Sequence, residues 1–166
     1  MGDYAAWYRT ITAGIRRQKH GVQALRALNK VLTAAMYAAY PALVFLTLIR
    51  GGVRACAPYV LVPGAFFVLL SLVRRKINRK RPYETWDLDP LIPKKTRGNS
   101  MPSRHVFSCA VISMCLLKIS LPLGIAGFVI TALSALVRVL GGVHYPEDTL
   151  AGGAAGILAG LLLWLT

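Results

Sequence analysis

Acidic residues are scarce: six Asp and Glu stand against 20 Lys and Arg in 166 residues, giving a formal charge of +14. Charge of either sign is missing altogether from long segments. Val31–Ile49, Ala55–Val73 and Ile119–Val137 each run 19 residues without it, Thr149–Thr166 runs 18 and Val106–Leu117 runs 12. Together they fill more than half the chain, too oily a composition for a soluble domain of this size, and disordered or collagen-like readings fall with it. Cysteine is equally sparse. Cys56, Cys109 and Cys115 all lie in apolar runs; three thiols cannot pair off completely, so they read as small packed hydrophobes and not as a disulfide framework. No HExxH and no cysteine pair with zinc spacing is present, so no metal or other cofactor is expected. The first apolar run starts only at Val31 and exceeds an h-region of about 7–15 residues, which excludes a secretory signal. Ala6 stands where a myristoylation signal needs Ser or Thr.

A spanning helix takes roughly 17–25 largely apolar residues. Four runs qualify outright, and Val106–Leu117 qualifies if Arg104 and Lys118 snorkel towards headgroups. The expected fold is an all-α integral membrane bundle of about five transmembrane helices. An N-terminal helix precedes it, with Tyr4, Trp7, Tyr8, Ile11 and Ile15 on one arc and Arg9, Arg16 and Arg17 elsewhere, as in an amphipathic helix lying in the interface. Residues 1–30 thus form an interfacial segment, Val22–Lys30 being a second helical stretch, and residues 31–166 form the transmembrane portion.

Short links force an alternating path. Gly51-Gly52, between Arg50 and Arg54, and the turn at Lys118 and Pro122 close one side. All other Lys and Arg and all six acids emerge on the opposite side, which carries the long loop Arg74–Arg104. The positive-inside rule then makes that face cytoplasmic. Nucleic-acid-binding modules are also basic, but they do not place half their residues in lipid-length runs; anionic headgroups and the bilayer are the expected partners, with a homo-oligomer left open. Trp86, Leu91 and Ile92, set among prolines, rest on the membrane surface or cover a site.

Four helix ends meet on the loop-bearing face, each with unusual polar groups. Arg74-Arg75-Lys76 through Arg81-Pro82 follows the second run; on its own it is a topological anchor. Pro102 and Ser103 open the next helix, where unpaired backbone N–H groups and the dipole suit either a simple cap or an anion site. Arg138, His144 and Asp148 bracket Gly141-Gly142 and Tyr145-Pro146. Pro146 fits a first helical turn, which puts His144 just before the helix and Asp148 about one turn on. An acid there can hold one imidazole nitrogen and leave the other to attack. Two histidines, His105 and His144, an acid and several arginines on one face suit phosphoryl transfer: guanidinium forks hold the non-bridging oxygens, one histidine takes the group covalently and the other protonates the departing oxygen.

RRKINRKRP (Arg74–Pro82), SMPSRH (Ser100–His105) and RVLGGVHYPEDTLAG (Arg138–Gly152) resemble, in order, the three signature motifs of the type 2 phosphatidic acid phosphatase superfamily, KxxxxxxRP, PSGH and SRxxxxxHxxxD. The resemblance spans roughly residues 55–166. It implies a lipid phosphatase in which His144 is the nucleophile, Asp148 orients it, His105 is the acid for the leaving group, and Arg74, Arg81, Ser103, Arg104 through its amide, and Arg138 bind phosphate. It makes phosphatidylglycerophosphate, phosphatidate and polyprenyl diphosphate the candidate substrates. Soluble relatives bind vanadate and oxidise halides, a branch the membrane runs disfavour.

The motifs depart from the pattern in three places. Arg74 replaces Lys, Val137 replaces a Ser, and Arg104 replaces Gly, adding a cation that suggests a second phosphate or a strongly anionic headgroup. Many relatives also have six spans. The alternative readings are a lipid phosphotransferase using the same phosphohistidine and, from another class, a small transporter, for which the Gly-rich last helix speaks and the absence of charge within the runs speaks against.

Overall fold

The computed structural model describes residues 3–165. Its elements are all helical: α1 (Tyr4–Arg17), α2 (Gly21–Ile77), α3 (Pro82–Thr85), α4 (Arg104–Ile119), α5 (Leu121–Leu140) and α6 (Pro146–Leu161), the last continued by a 3₁₀ turn over Leu162–Leu165. Helix α2 has 57 residues and would reach about 85 Å if straight. It is not straight. Gly52 takes φ 68° and ψ −171°, a conformation that breaks the helix and that a side chain would resist. Beyond it the chain turns back on itself. Met36 and Leu70, about 50 Å apart along an unbroken helix, sit in one core cluster, and the Tyr40 hydroxyl donates to the Tyr59 carbonyl at 3.0 Å. The Gly51-Gly52 turn expected from sequence is therefore a hairpin between two legs of α2.

Three stretches are long and apolar enough to cross a membrane: the one beginning at Gly21, α5, and Pro146–Leu165. The first makes two passes because it doubles back. Helix α4 has 16 residues, about 24 Å, and is the bundle's centre: nine of those residues are buried, where α4 packs on α5, α6 and α2. Its neighbours come close because they offer glycine. A Cβ at Gly152, Gly156 or Gly160 would meet Ser103 O, Phe107 O or Met114 Cβ at 2.4, 2.6 and 2.3 Å. The Gly-rich last helix is thus explained by close packing, the small-residue contact that membrane bundles favour. The outward faces of α2, α5 and α6 carry Val31, Phe45, Leu61, Ile125, Val129 and Leu158, all exposed, as a lipid-facing surface requires.

Two boundaries differ from the sequence reading. Helix α2 starts at Gly21 and runs unbroken through Lys30–Val31, because nothing in that stretch stops a helix; the break falls at residues 18–20. At its other end α2 continues to Ile77, with Arg74, Arg75 and Lys76 in a last turn that favours cations and Asn78 capping it in the left-handed conformation. Arg74 thus projects from a helix, and the irregular segment is 78–103.

Helix α1 seats on the bundle. Ala5, Tyr8 and Thr12 are buried; the Tyr8 hydroxyl donates to Leu140 O at 2.9 Å and accepts from Leu91 N at 3.3 Å. Trp7 stays exposed. Leu91 is neither on a surface nor over a site: it packs with Leu25, Leu32 and Val137, with Ile92 against them. Trp86 stacks near Tyr4 at 6.1 Å between ring centres.

Candidate active site

The long loop is held by its own polar groups. Glu84 accepts from Arg81 N at 2.8 Å and from Gly98 N at 2.8 and 3.0 Å, and Arg79 O accepts from Ser100 N at 2.9 Å. These bonds bring Arg81, Asn99 and Ser100 back over the ends of α4 and α6. Ser103 N donates to Asp148 O at 2.8 Å, which joins the two helix starts directly.

Asp148 is fully buried and His144 is 3% exposed. Asp148 Oδ2 lies 3.5 Å from His144 Nδ1 and accepts from Tyr145 N at 3.0 Å and from the Ser100 hydroxyl. Asp148 Oδ1 accepts from Arg79 Nη1 at 3.0 Å, while Arg79 Nη2 pairs with Glu147 at 2.7 Å. The same guanidinium lies 4.3 Å over the Tyr145 ring. Both oxygens of the carboxylate are engaged, as a buried charge must be. Asp148 therefore acts both as the acid facing His144 and as the third residue of the α6 capping arrangement. Nδ1 faces the acid, so Nε2 lies on the opposite edge of the ring. Burial, with Arg81 and Lys94 nearby, outweighs the contribution of Asp148 and pushes the His144 pKa down to about 4. The ring is neutral at pH 7 and has a lone pair to offer.

His144 and His105 line the same cavity, of about 860 Å3, together with Arg74, Arg81, Arg104 and Arg138. Every residue assigned from the sequence except Ser103 and Asp148 lines it; those two are fully buried, Asp148 beside His144 and Ser103 next to Arg104 in the chain. Arg74 donates to Pro102 O at 2.5 Å and to Asn99 O, and Arg81 donates to Val143 O at 2.9 Å. Arg81 Nε, Arg138 Nε and Ser103 Oγ are buried donors with no partner among the described residues. Ser103 occupies the N-cap of α4, yet its hydroxyl does not cap it. His105 Nε2 has Thr33 Oγ1 3.4 Å away. Arg104 is exposed, with its guanidinium 5.6 Å over the Phe67 ring. Among the described residues, no three His, Cys or carboxylate side chains gather as a metal site would require.

Below this cationic mouth the cavity is apolar. Met36, Tyr40 and Pro41 on one leg of α2, Pro63 and Phe67 on the other, and Phe107, Val111 and Ile112 on α4 line it. From Arg74 to Pro63 the helix descends about 16 Å, roughly half a bilayer's hydrocarbon thickness.

Sequence reasoning missed three residues. Arg79 belongs to the same basic run as Arg74 and Arg81, and nothing in that run marks it as the partner of Asp148. Ser100 is fully buried against His144 and Asp148, although in sequence it is a polar loop residue like its neighbours. Lys94 also lines the cavity, and only the folding back of the loop puts it there.

No curated protein matches this sequence. Among solved structures, LpxE of Aquifex aeolicus superposes with a TM-score of 0.76 at 23% identity, covering 97% of this chain and 94% of that one. The first transmembrane PAP2 type phosphatidylglycerolphosphate phosphatase from Bacillus subtilis does so at 0.61 and 23%, covering 96% and 91%. Both share the fold. A family model of the PAP2 superfamily matches residues 55–166, the part that carries the second leg of α2 and all three basic and histidine-bearing segments, and the chain belongs to that superfamily.

Proposed function

We propose that the protein is a lipid phosphatase that removes a phosphate from a membrane lipid, as a monoester or the end of a diphosphate, through a phosphohistidine on His144. The observation that carries this reading is that two histidines and five arginines line one cavity whose floor is apolar. A headgroup sits among the arginines while its tail lies between the legs of α2 and α4. The description of the Bacillus subtilis structure as a phosphatidylglycerolphosphate phosphatase supports it.

The chemistry follows from the donors. His144 Nε2 attacks phosphorus; a P–N bond forms as the P–O bond to the lipid breaks, and the departing oxygen takes a proton from His105. The imidazolium so formed keeps its Nδ1 proton towards Asp148, whose negative charge stabilises it. Arg81 Nε, Arg138 Nε, Ser103 Oγ and the amides opening α4 receive the equatorial oxygens, where charge builds. His105, now neutral, takes a proton from water as that water attacks phosphorus, the P–N bond breaks, and phosphate leaves. The guanidinium groups supply the charge stabilisation, so the sequence of steps asks for no metal.

The test is phosphate release from a panel of lipids in detergent with chelator present, alongside alkaline quenching of the enzyme with labelled lipid. His144→Ala should release no phosphate and hold no acid-labile label. His105→Ala should slow release by about 10²–10⁴-fold. Full activity in either variant rejects the assignment. We also infer that the cavity opens to the cytoplasm, from the excess of Lys and Arg on that face. Lys95 is exposed and the three native cysteines are buried, so Lys95→Cys gives a single reporter. Labelling of intact cells by an impermeant maleimide would reverse this orientation.

A further inference from the structure

The cavity mouth carries more positive charge than one phosphate calls for. Arg74, Arg81, Lys94, Arg97, Arg104 and Arg138 line it, and no carboxylate does. Arg97 is exposed in the loop; the other five cations fall into two groups. Arg74 and Arg81 are tied to backbone carbonyls around the nucleophile turn, and Arg81 and Arg138 turn buried, unpartnered Nε donors to the site. The bonds fix Arg74 and Arg81, and the last turn of α5 sets Arg138 beside them, for the phosphate at His144. Lys94 and Arg104 have no hydrogen-bond or ion-pair partner among the described residues.

Lys94 is nonetheless held in place. Two residues before it, Ile92 N donates to Gly141 O at 3.1 Å, and Arg26 Nε donates to Leu91 O at 2.7 Å. Four residues after it, Gly98 is held by Glu84. The segment between these anchors carries the ammonium into the mouth, where burial and the four arginines push its pKa down to about 8. A cation placed so, without a counter-charge from the protein, is stabilised by an anion that arrives with the substrate. Arg104 reaches the same mouth from the start of α4.

We propose that Lys94 and Arg104 form a second anion subsite beside the one at His144, which holds a further phosphate of the substrate's headgroup. The inference rests on the lipid-phosphatase reading and narrows its substrate class to lipids with two phosphates. The second phosphate is either joined to the one cleaved, as in a diphosphate, or separated from it by a short polyol.

Three lipids in mixed micelles separate these cases: phosphatidate, a prenyl diphosphate and phosphatidylglycerophosphate. Lys94→Gln should lower kcat/KM by about tenfold or more on at least one of the two-phosphate lipids and by less than about threefold on phosphatidate, the size of one charge-assisted contact. Lys94→Arg, which keeps the charge, should recover most of the loss. Whichever two-phosphate lipid suffers identifies the spacing. Equal losses on all three lipids overturn the subsite.

Binding gives a readout that does not depend on turnover. Pyrophosphate or propanediol bisphosphate should displace a fluorescent anionic lipid from the wild-type protein at about tenfold lower concentration than inorganic phosphate, and Lys94→Gln should erase that preference. Absence of the preference in the wild type, or its survival in Lys94→Gln, overturns the subsite. A wild-type protein that shows the preference but releases no phosphate from any lipid keeps the subsite and rejects the phosphatase reading instead.

Discussion

The starts of α4 and α6 lie side by side, joined by the bond from Ser103 N to Asp148 O, yet they are built differently. At α6 both oxygens of the buried acid are engaged. Asp148 meets Ser100, Arg79, Tyr145 N and His144, and Tyr4 packs on Tyr145 at 4.9 Å from the outside. At α4 the groups are idle: Ser103 Oγ has no partner among the described residues, His105 has one contact at 3.4 Å, and Arg104 is exposed. On the proposed mechanism the nucleophile's side is preorganised before substrate arrives, whereas the phosphate and leaving-group side keeps its donors for the ligand. Preorganisation on one side lets binding energy be used on the other.

The largest break in this contrast comes from Asp148. Asp148→Ala leaves Arg79 with Glu147 as its one carboxylate partner among the described residues and frees Ser100, Tyr145 N and His144 from their acceptor. We expect kcat to fall by about 10²–10⁴-fold and stability by about 1–3 kcal/mol for each buried donor left unmatched. Thermal melting and phosphate release measured on one preparation check both; a variant that melts like the wild type and turns over normally would erase the distinction between the two helix starts.

A smaller effect is expected at Arg79, which positions the acid without touching the cavity. Arg79→Ala should lower kcat by about 10–100-fold with KM little changed, because the carboxylate loses one of its orienting partners while the substrate's contacts remain. Arg79→Lys, which keeps the charge but not the fork to both Asp148 and Glu147, should recover only part. A rise in KM with kcat intact would move Arg79 into the substrate's own contacts.

Smaller again, and opposite in character, is Ser103. A serine at an N-cap ordinarily contributes about 1 kcal/mol through its hydroxyl, but here that bond is not made. Ser103→Ala should therefore leave the melting temperature nearly unchanged, a cost under about 0.5 kcal/mol, while lowering kcat/KM by about tenfold through loss of one phosphate donor. A substantial loss of stability would make Ser103 a cap like any other.

The parts legible in sequence are those fixed by local chemistry. Uncharged runs of lipid length mark the helices, two glycines between arginines mark the hairpin, and Pro146 marks the start of α6, which alone places His144 and Asp148 one turn apart. What sequence hides depends on where the 78–103 segment folds. Arg79 cannot be told from Arg75 or Lys80 in a basic run, since only the chain's return through Ser100 decides which cation meets Asp148. Leu91 was ambiguous for the same reason: its burial depends on a pocket formed by Leu25, Leu32 and Val137, residues from two distant helices. Helix α1 shows the limit of periodicity. Its apolar arc was visible, but an arc that faces a lipid surface and one that faces the bundle carry the same pattern.

The finest test concerns charge alone. His144 titrates at about 4 because it is buried and because Arg81 and Lys94 oppose its protonation, while Asp148 favours it. Protonation adds a positive charge, so removing a neighbouring cation must raise the pKa. Lys94→Gln should move the His144 midpoint upward by roughly half a unit to one unit, as expected for one screened charge a few ångströms away, and the acid limb of kcat/KM, where it reports the free nucleophile, should move with it. Nitrogen NMR of labelled histidine in detergent reads the midpoint directly, with His20, outside the cavity, as the internal comparison. An unchanged midpoint would place Lys94 too far from His144 to share its field, and the nucleophile's low pKa would then belong to burial and Arg81 alone.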